Sequence, residues 1–136
     1  MAVHAGSHIR TRTMALDRAL LGRPRELARI FVHELFHFAW IHLSNAERRS
    51  WQELLSTERG SGELGWSAEM RKLKLQPSDG PNRTRRWREY SCESFCDTAA
   101  WLFAGAARHE EFTLAARWRE RRKRWFRRFL GNALQV

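Results

Sequence analysis

The chain has 136 residues, 43% of them apolar and only two of them cysteine, the size of one domain that buries its core without disulfide staples. Cys92 and Cys96 stand four apart, so no bridge ties distant segments together, and the usage fits a reduced compartment, with cytoplasm the expected location. No segment approaches the roughly 20 apolar residues of a membrane span, and the N-terminal region has no apolar run of signal-peptide length.

The formal charge of +10, from 25 Lys and Arg against 15 Asp and Glu, would suit an acidic or nucleic-acid partner. Arg supplies nearly all of the cations, a skew that genome base composition also produces. Seven Trp and eight Phe predict an aromatic core.

In chain order, HIRTRTMAL over 8–16 reads as a short strand, pairing with the segment around Val3. Gly22 and Pro24 mark a helix start, and RELARIFVHELFHFAWIHL runs without a breaker to Leu43. Ser44 with Glu47 makes a capping-box pattern, so a second helix is expected to stop at Gly60. From Gly60 to Thr84, Gly, Ser, Pro and Asp accumulate around one or two helical turns in SAEMRKLKL, and this is the expected flexible region. A third helix is expected over about Arg85–Ala107 and a fourth over about 113–130, ended by Gly131.

His33, Glu34 and His37 form HExxH on the first helix. The spacing of four sets both imidazoles on one face and the glutamate beside the open position of a metal, a pattern suited to zinc. Apolar neighbours Ile30, Phe31, Leu35, Phe36, Phe38 and Trp40 imply a largely buried pair that needs polar partners. A catalytic zinc takes three protein ligands and leaves a position for water. Glu93 and Asp97 share one face of the third helix, where carboxylates among apolar residues are costly unless paired or bound. Glu93 is the expected third ligand, and Asp97 the acceptor from Nδ1 of a ligating histidine, His33. The alternative is a structural ion pair with arginine.

His42 turns away from the ligand face, and no metzincin pattern follows His37. His109, Glu110 and Glu111 are the fallback ligands. Glu34 would be the general base, and Tyr90 or His109 a second donor to the oxyanion. Tyr90 reads equally as a half-buried core tyrosine, and Cys92 and Cys96 as small buried hydrophobes.

HELFH followed by the Glu93-to-Asp97 ExxxD pattern resembles the gluzincin metallopeptidases. The run ESFCDTAAWLF is also similar to minimal ImmA/IrrE-type peptidases. The resemblance implies an α+β, mostly helical, minimal zincin-like domain: a small antiparallel sheet whose edge strand receives substrate, and two helices carrying the ligands of one zinc ion. The connection from His37 to Glu93 is longer than is usual in that clan, which implies an insertion at about 44–84 folded clear of the site.

The expected function is therefore a zinc-dependent peptidase acting on a peptide or protein substrate. The rival is a basic nucleic-acid- or partner-binding protein with a structural or inactive HExxH helix. For that rival the relevant segment is the fourth helix, with Leu114, Trp118, Trp125, Phe129 and Leu130 on one side and arginine on the other; it either caps the core or contacts an acidic partner.

Overall fold

The computed structural model describes residues 22–105 and 112–130, and the backbone of 5–8 and 13–16. β1 (Ala5–His8) and β2 (Thr13–Leu16) pair antiparallel, with Ala5 opposite Leu16 and His8 opposite Thr13. This ribbon is the only β pairing among the described residues; of the strand expected over 8–16, Thr13–Leu16 forms β2 and His8 ends β1, while 9–12 lie outside the described residues. The α+β class with a small antiparallel sheet is overturned: among the described residues the fold is helical, with no sheet layer to carry the core. Two four-residue strands cannot offer a face that buries a core, and the apolar area lies on the helices.

Among the described residues six helices follow: α1 (Pro24–His42), α2 (Asn45–Thr57), α3 (Trp66–Lys72), α4 (Asp79–Asn82), α5 (Arg85–Phe103) and α6 (Ala116–Leu130). None of the described helices is long and apolar enough to cross a membrane. Pro24 opens α1 at its first turn. Arg48 closes the other end by donating to the carbonyls of Trp40 (3.1 Å), which also accepts the Leu43 amide (3.2 Å), and Ile41 (3.0 Å), two of the last carbonyls, which lack i+4 partners. The capping box of Ser44 and Glu47 starts α2.

α5 is the central element. Every residue from Tyr90 to Ala100 except Cys92 is buried, as expected for a helix surrounded by others. α1 packs along it most extensively, followed by α3, with α2 and α4 also against it. Ser91, Ser94, Thr98, Ala99 and Ala100 keep its surface small enough for close neighbours. Trp51 of α2 fills the centre, fully buried, among Phe95, Trp125 and Phe126. Its indole N–H is satisfied by Ser91 O (3.0 Å) and Ser94 Oγ (3.1 Å). The expected aromatic core is present.

Three local expectations need correction. The Gly-rich stretch is no loose loop: Glu63, Leu64 and Ala68 are completely buried. Within 76–84 a short helix forms because the Asp79 carboxylate accepts from Gln76 N–H (2.7 Å) and Thr84 Oγ1 (2.8 Å), folding the polar run around one residue. α6 begins later than expected because the amides of Thr113 and Leu114 both donate to Glu63 O, at 2.8 and 3.1 Å. α5 stops at Phe103, two residues before Gly105 takes φ +76°, a conformation suited to glycine.

Candidate metal centre

α1 and α5 face each other along the stretch that carries the acid and imidazole groups. The i,i+4 spacing sets His33 and His37 on one face of α1, with ring centroids 5.1 Å apart. From α5, one carboxylate oxygen of Glu93, Oε2, lies 3.0 Å from His37 Nε2 and 3.4 Å from His33 Nε2. Asp97, one turn further, lies with Oδ1 2.6 Å from His33 Nδ1. The structure thus brings His33, His37, Glu93 and Asp97 together. One donor atom from each of His33, His37, Glu93 and Cys96 falls within a 4.8 Å group.

The tautomers follow from the partners. His33 Nδ1, facing a buried carboxylate, carries a proton and donates it. A neutral His33 therefore turns a bare Nε2 lone pair toward Glu93 Oε2. His37 has the same requirement if its Nε2 is to bind a metal: its Nδ1–H must donate to Cys92 Sγ, 3.6 Å away. Glu93 Oε2 is itself a buried oxygen without a hydrogen-bond partner. Lone pairs converging in this way need a cation between them, either a metal or additional protons.

The charge balance agrees. Burial alone would discharge His33, but Asp97 and Glu93 outweigh it and hold its pKa well above the usual value. Burial opposes charge on His37 too, yet the Cys92 thiol and the Glu93 carboxylate beside it push its pKa up to about 10. Glu93 is held well below the ordinary carboxylate range, its burial outweighed by the two imidazoles. The pocket favours positive charge, so protons and a metal ion compete for it.

The donors fit zinc. Two nitrogen or oxygen ligands about 2.1 Å from one tetrahedral ion lie roughly 3.4 Å apart, close to the separations found here. Calcium and magnesium call for a shell of six or more oxygens, and this cluster has imidazoles and one carboxylate.

The supporting contacts come from the segment expected to fold clear of the site. Asp97 Oδ2 accepts the Ala68 amide of α3 (2.9 Å). Glu93 Oε1 accepts from Ser67 Oγ (2.9 Å), with the Arg71 guanidinium 3.6 Å away. Gly65 is required for space: a Cβ there would lie 2.4 Å from Asp97 Cγ. Far from standing aside, α3 anchors both carboxylates. These contacts carry no sequence signal beyond a glycine before a short helix.

Glu34 is buried on α1 between the two histidines in sequence, 8% exposed. His42, at the end of α1, is exposed. His109, Glu110 and Glu111 lie outside the described residues. The oxyanion role expected of Tyr90 is not supported by its geometry, because the buried hydroxyl donates to Glu63. Burial and the Glu63 charge raise the pKa of that phenol well above normal.

Glu63 belongs to a second buried cluster. Arg122 of α6, fully buried, donates to Glu58 (2.8 and 2.7 Å), Glu63 (2.8 and 2.9 Å) and Thr98 (3.2 Å). A cavity of about 750 Å³ adjoins it, lined by Gln52, Arg59, Arg83, Trp87 and Tyr90 among others and by none of the histidine cluster. The sequence pattern sets arginine on the side of this helix opposite Trp118, Trp125 and Phe129, whereas Arg122 is buried.

No protein family, curated protein or solved structure matches this chain.

Proposed function

We propose that His33, His37 and Glu93 hold one zinc ion and that the chain hydrolyses peptide bonds in a peptide or protein substrate, with Glu34 as general base. The observation that carries this reading is Glu93 Oε2, buried and without a hydrogen-bond partner, between two imidazole nitrogens. Zinc, when bound, supplies Lewis acidity that polarises a carbonyl and lowers the pKa of water to about 7. His33 and His37 present Nε2, and Asp97 holds His33 in the tautomer that leaves this atom bare. Ser67 and Arg71 engage Glu93 Oε1 and so leave Oε2 aimed inward. Glu34 takes a proton from the attacking water and delivers it to the leaving amine. The role of Glu34 follows from its place in HExxH; the substrate-binding sheet is no part of this reading. Two free thiols are consistent with a reduced, cytoplasmic setting.

The test is metal analysis after purification without added metal, paired with a peptide-hydrolysis assay. Near one zinc per chain is expected, lost in His33→Ala and Glu93→Ala. Glu34→Gln should keep the metal and lose hydrolysis. A folded wild type that neither retains nor takes up zinc would overturn the proposal.

A second reading rests on α6, whose Arg117, Arg124, Arg127 and Arg128 are exposed. In it the chain binds an acidic partner or nucleic acid through phosphate contacts, with the histidine cluster a proton-filled ion pair. Part of the basic character is structural, since Arg122 is buried and Arg119 donates to the carbonyls of Leu114 and Phe112, both at 2.6 Å. Salt-sensitive binding by a metal-free protein would favour this reading.

A further inference from the structure

We infer that Cys96 is a fourth protein donor to the metal, closing the coordination sphere in the substrate-free protein; this rests on the zinc site proposed above. Cys96 lies one turn beyond Glu93 on α5, so its side chain emerges on the same face. Its sulfur belongs with the His33, His37 and Glu93 donors to a group within 4.8 Å, the single such group among the described residues. The residue is fully buried, and the thiol is free. A thiolate sulfur and an imidazole nitrogen on one tetrahedral ion lie roughly 3.6 Å apart. The remaining shift is on the order of 1 Å, within the reach of a side-chain rotation.

Charge and softness favour the same arrangement. A dication with Glu93 as its one anionic ligand keeps net positive charge within its coordination sphere, the buried Asp97 carboxylate lying one shell further out beside His33. A second anion from Cys96 brings the ion and its four donors to neutrality, with the thiol proton released to solvent. Two imidazoles, a carboxylate and a thiolate select thiophilic ions such as zinc, cobalt or cadmium over magnesium and calcium. Cys92 is cast differently. Its sulfur faces His37 Nδ1 at 3.6 Å and it is outside the converging group, so it orients that histidine. For hydrolysis, Cys96 must withdraw before water can take the fourth position, which makes the closed sphere a resting state.

Cobalt(II) reconstitution of the full chain tests the assignment without relying on activity. The wild type should show the visible bands of tetrahedral cobalt together with an intense near-ultraviolet thiolate-to-cobalt charge-transfer band. Because the chain has two cysteines, Cys92→Ser leaves Cys96 as the only thiol, and the band should persist there. Cys96→Ser should lose it while keeping the visible bands. Should Cys96→Ser fail to fold, the Cys92→Ser spectrum alone decides the assignment. Cobalt bound without the near-ultraviolet band, or a band that vanishes in Cys92→Ser, would overturn the role of Cys96 and leave the three-ligand site standing. Failure to bind cobalt at all would overturn both.

Discussion

Two buried polar clusters flank α5, and they are built on opposite principles. Around Arg122, donors and acceptors match: the guanidinium meets two carboxylates and a hydroxyl, and the Tyr90 hydroxyl completes Glu63. Around His33 and His37, neutral imidazoles would set acceptor against acceptor, and the oxygen at the centre has no hydrogen-bond partner. Both groups are shielded from water, so burial does not separate them. The saturated cluster locks α6 and the Glu63 segment onto the core, whereas the unsaturated one leaves room for a ligand's charge. A buried polar group therefore points to function by the partner it lacks.

The contrast can be broken most forcefully at Arg122. Arg122→Ala leaves Glu58 buried without its counter-charge and Glu63 with only Lys72, 3.7 Å away, and should destabilise the fold by roughly 3–5 kcal/mol in urea unfolding. A loss near zero would mean that the cluster is not a structural lock. At the histidine cluster, Asp97→Asn should weaken zinc binding by about 10–100-fold, the effect of removing an outer partner of a ligating histidine, as read by competition with a chelator. Unchanged affinity would remove Asp97 from the site.

Gly65→Ala tests the crowding behind Asp97. Its backbone is extended at φ 177°, so conformation is not the obstacle, but the Asp97 carboxylate is pinned by His33 and the Ala68 amide and cannot yield. The expected loss is about 1–3 kcal/mol, accompanied by weaker zinc binding. Tyr90→Phe removes one donor from a carboxylate that keeps Arg122 and should cost only about 1 kcal/mol, with zinc content unchanged. A fall in zinc content would reopen a place for Tyr90 at the metal.

The smallest effect is on acid sensitivity. Burial would raise the pKa of Glu63, but Arg122 and then Lys72 outweigh it and hold it below the ordinary value. A carboxylate depressed in the folded state contributes stability that is complete above its unfolded pKa and lost as pH falls through the folded one. Urea midpoints should thus decline from about pH 4.3 downward. In Arg122→Ala the burial effect is no longer opposed by the guanidinium, so Glu63 should take up its proton at higher pH and this part of the acid dependence should shrink or reverse.

Much of the helical layout was legible because it rests on short-range rules. Pro24 and the Ser44–Glu47 box mark two helix starts by local geometry, and Thr84 accepts the Trp87 amide to open α5. The four-residue spacing of His33 and His37, and of Glu93 and Asp97, dictates which groups can share a face. The sheet was misjudged because it came from a resemblance in the ligand motif, and a motif of a few residues does not specify what packs around it.

By itself, then, the sequence determined which side chains each helix could present and in what register, since those follow from 3.6 residues per turn and end caps. Tertiary structure alone decided that α1 and α5 meet with Glu93 between the two imidazoles, that α3 folds back to hold both carboxylates, and that Arg122 is buried rather than solvated. Those outcomes depend on contacts between residues far apart in the chain, whose gain must exceed the entropy of bringing them together, and no local pattern encodes that sum.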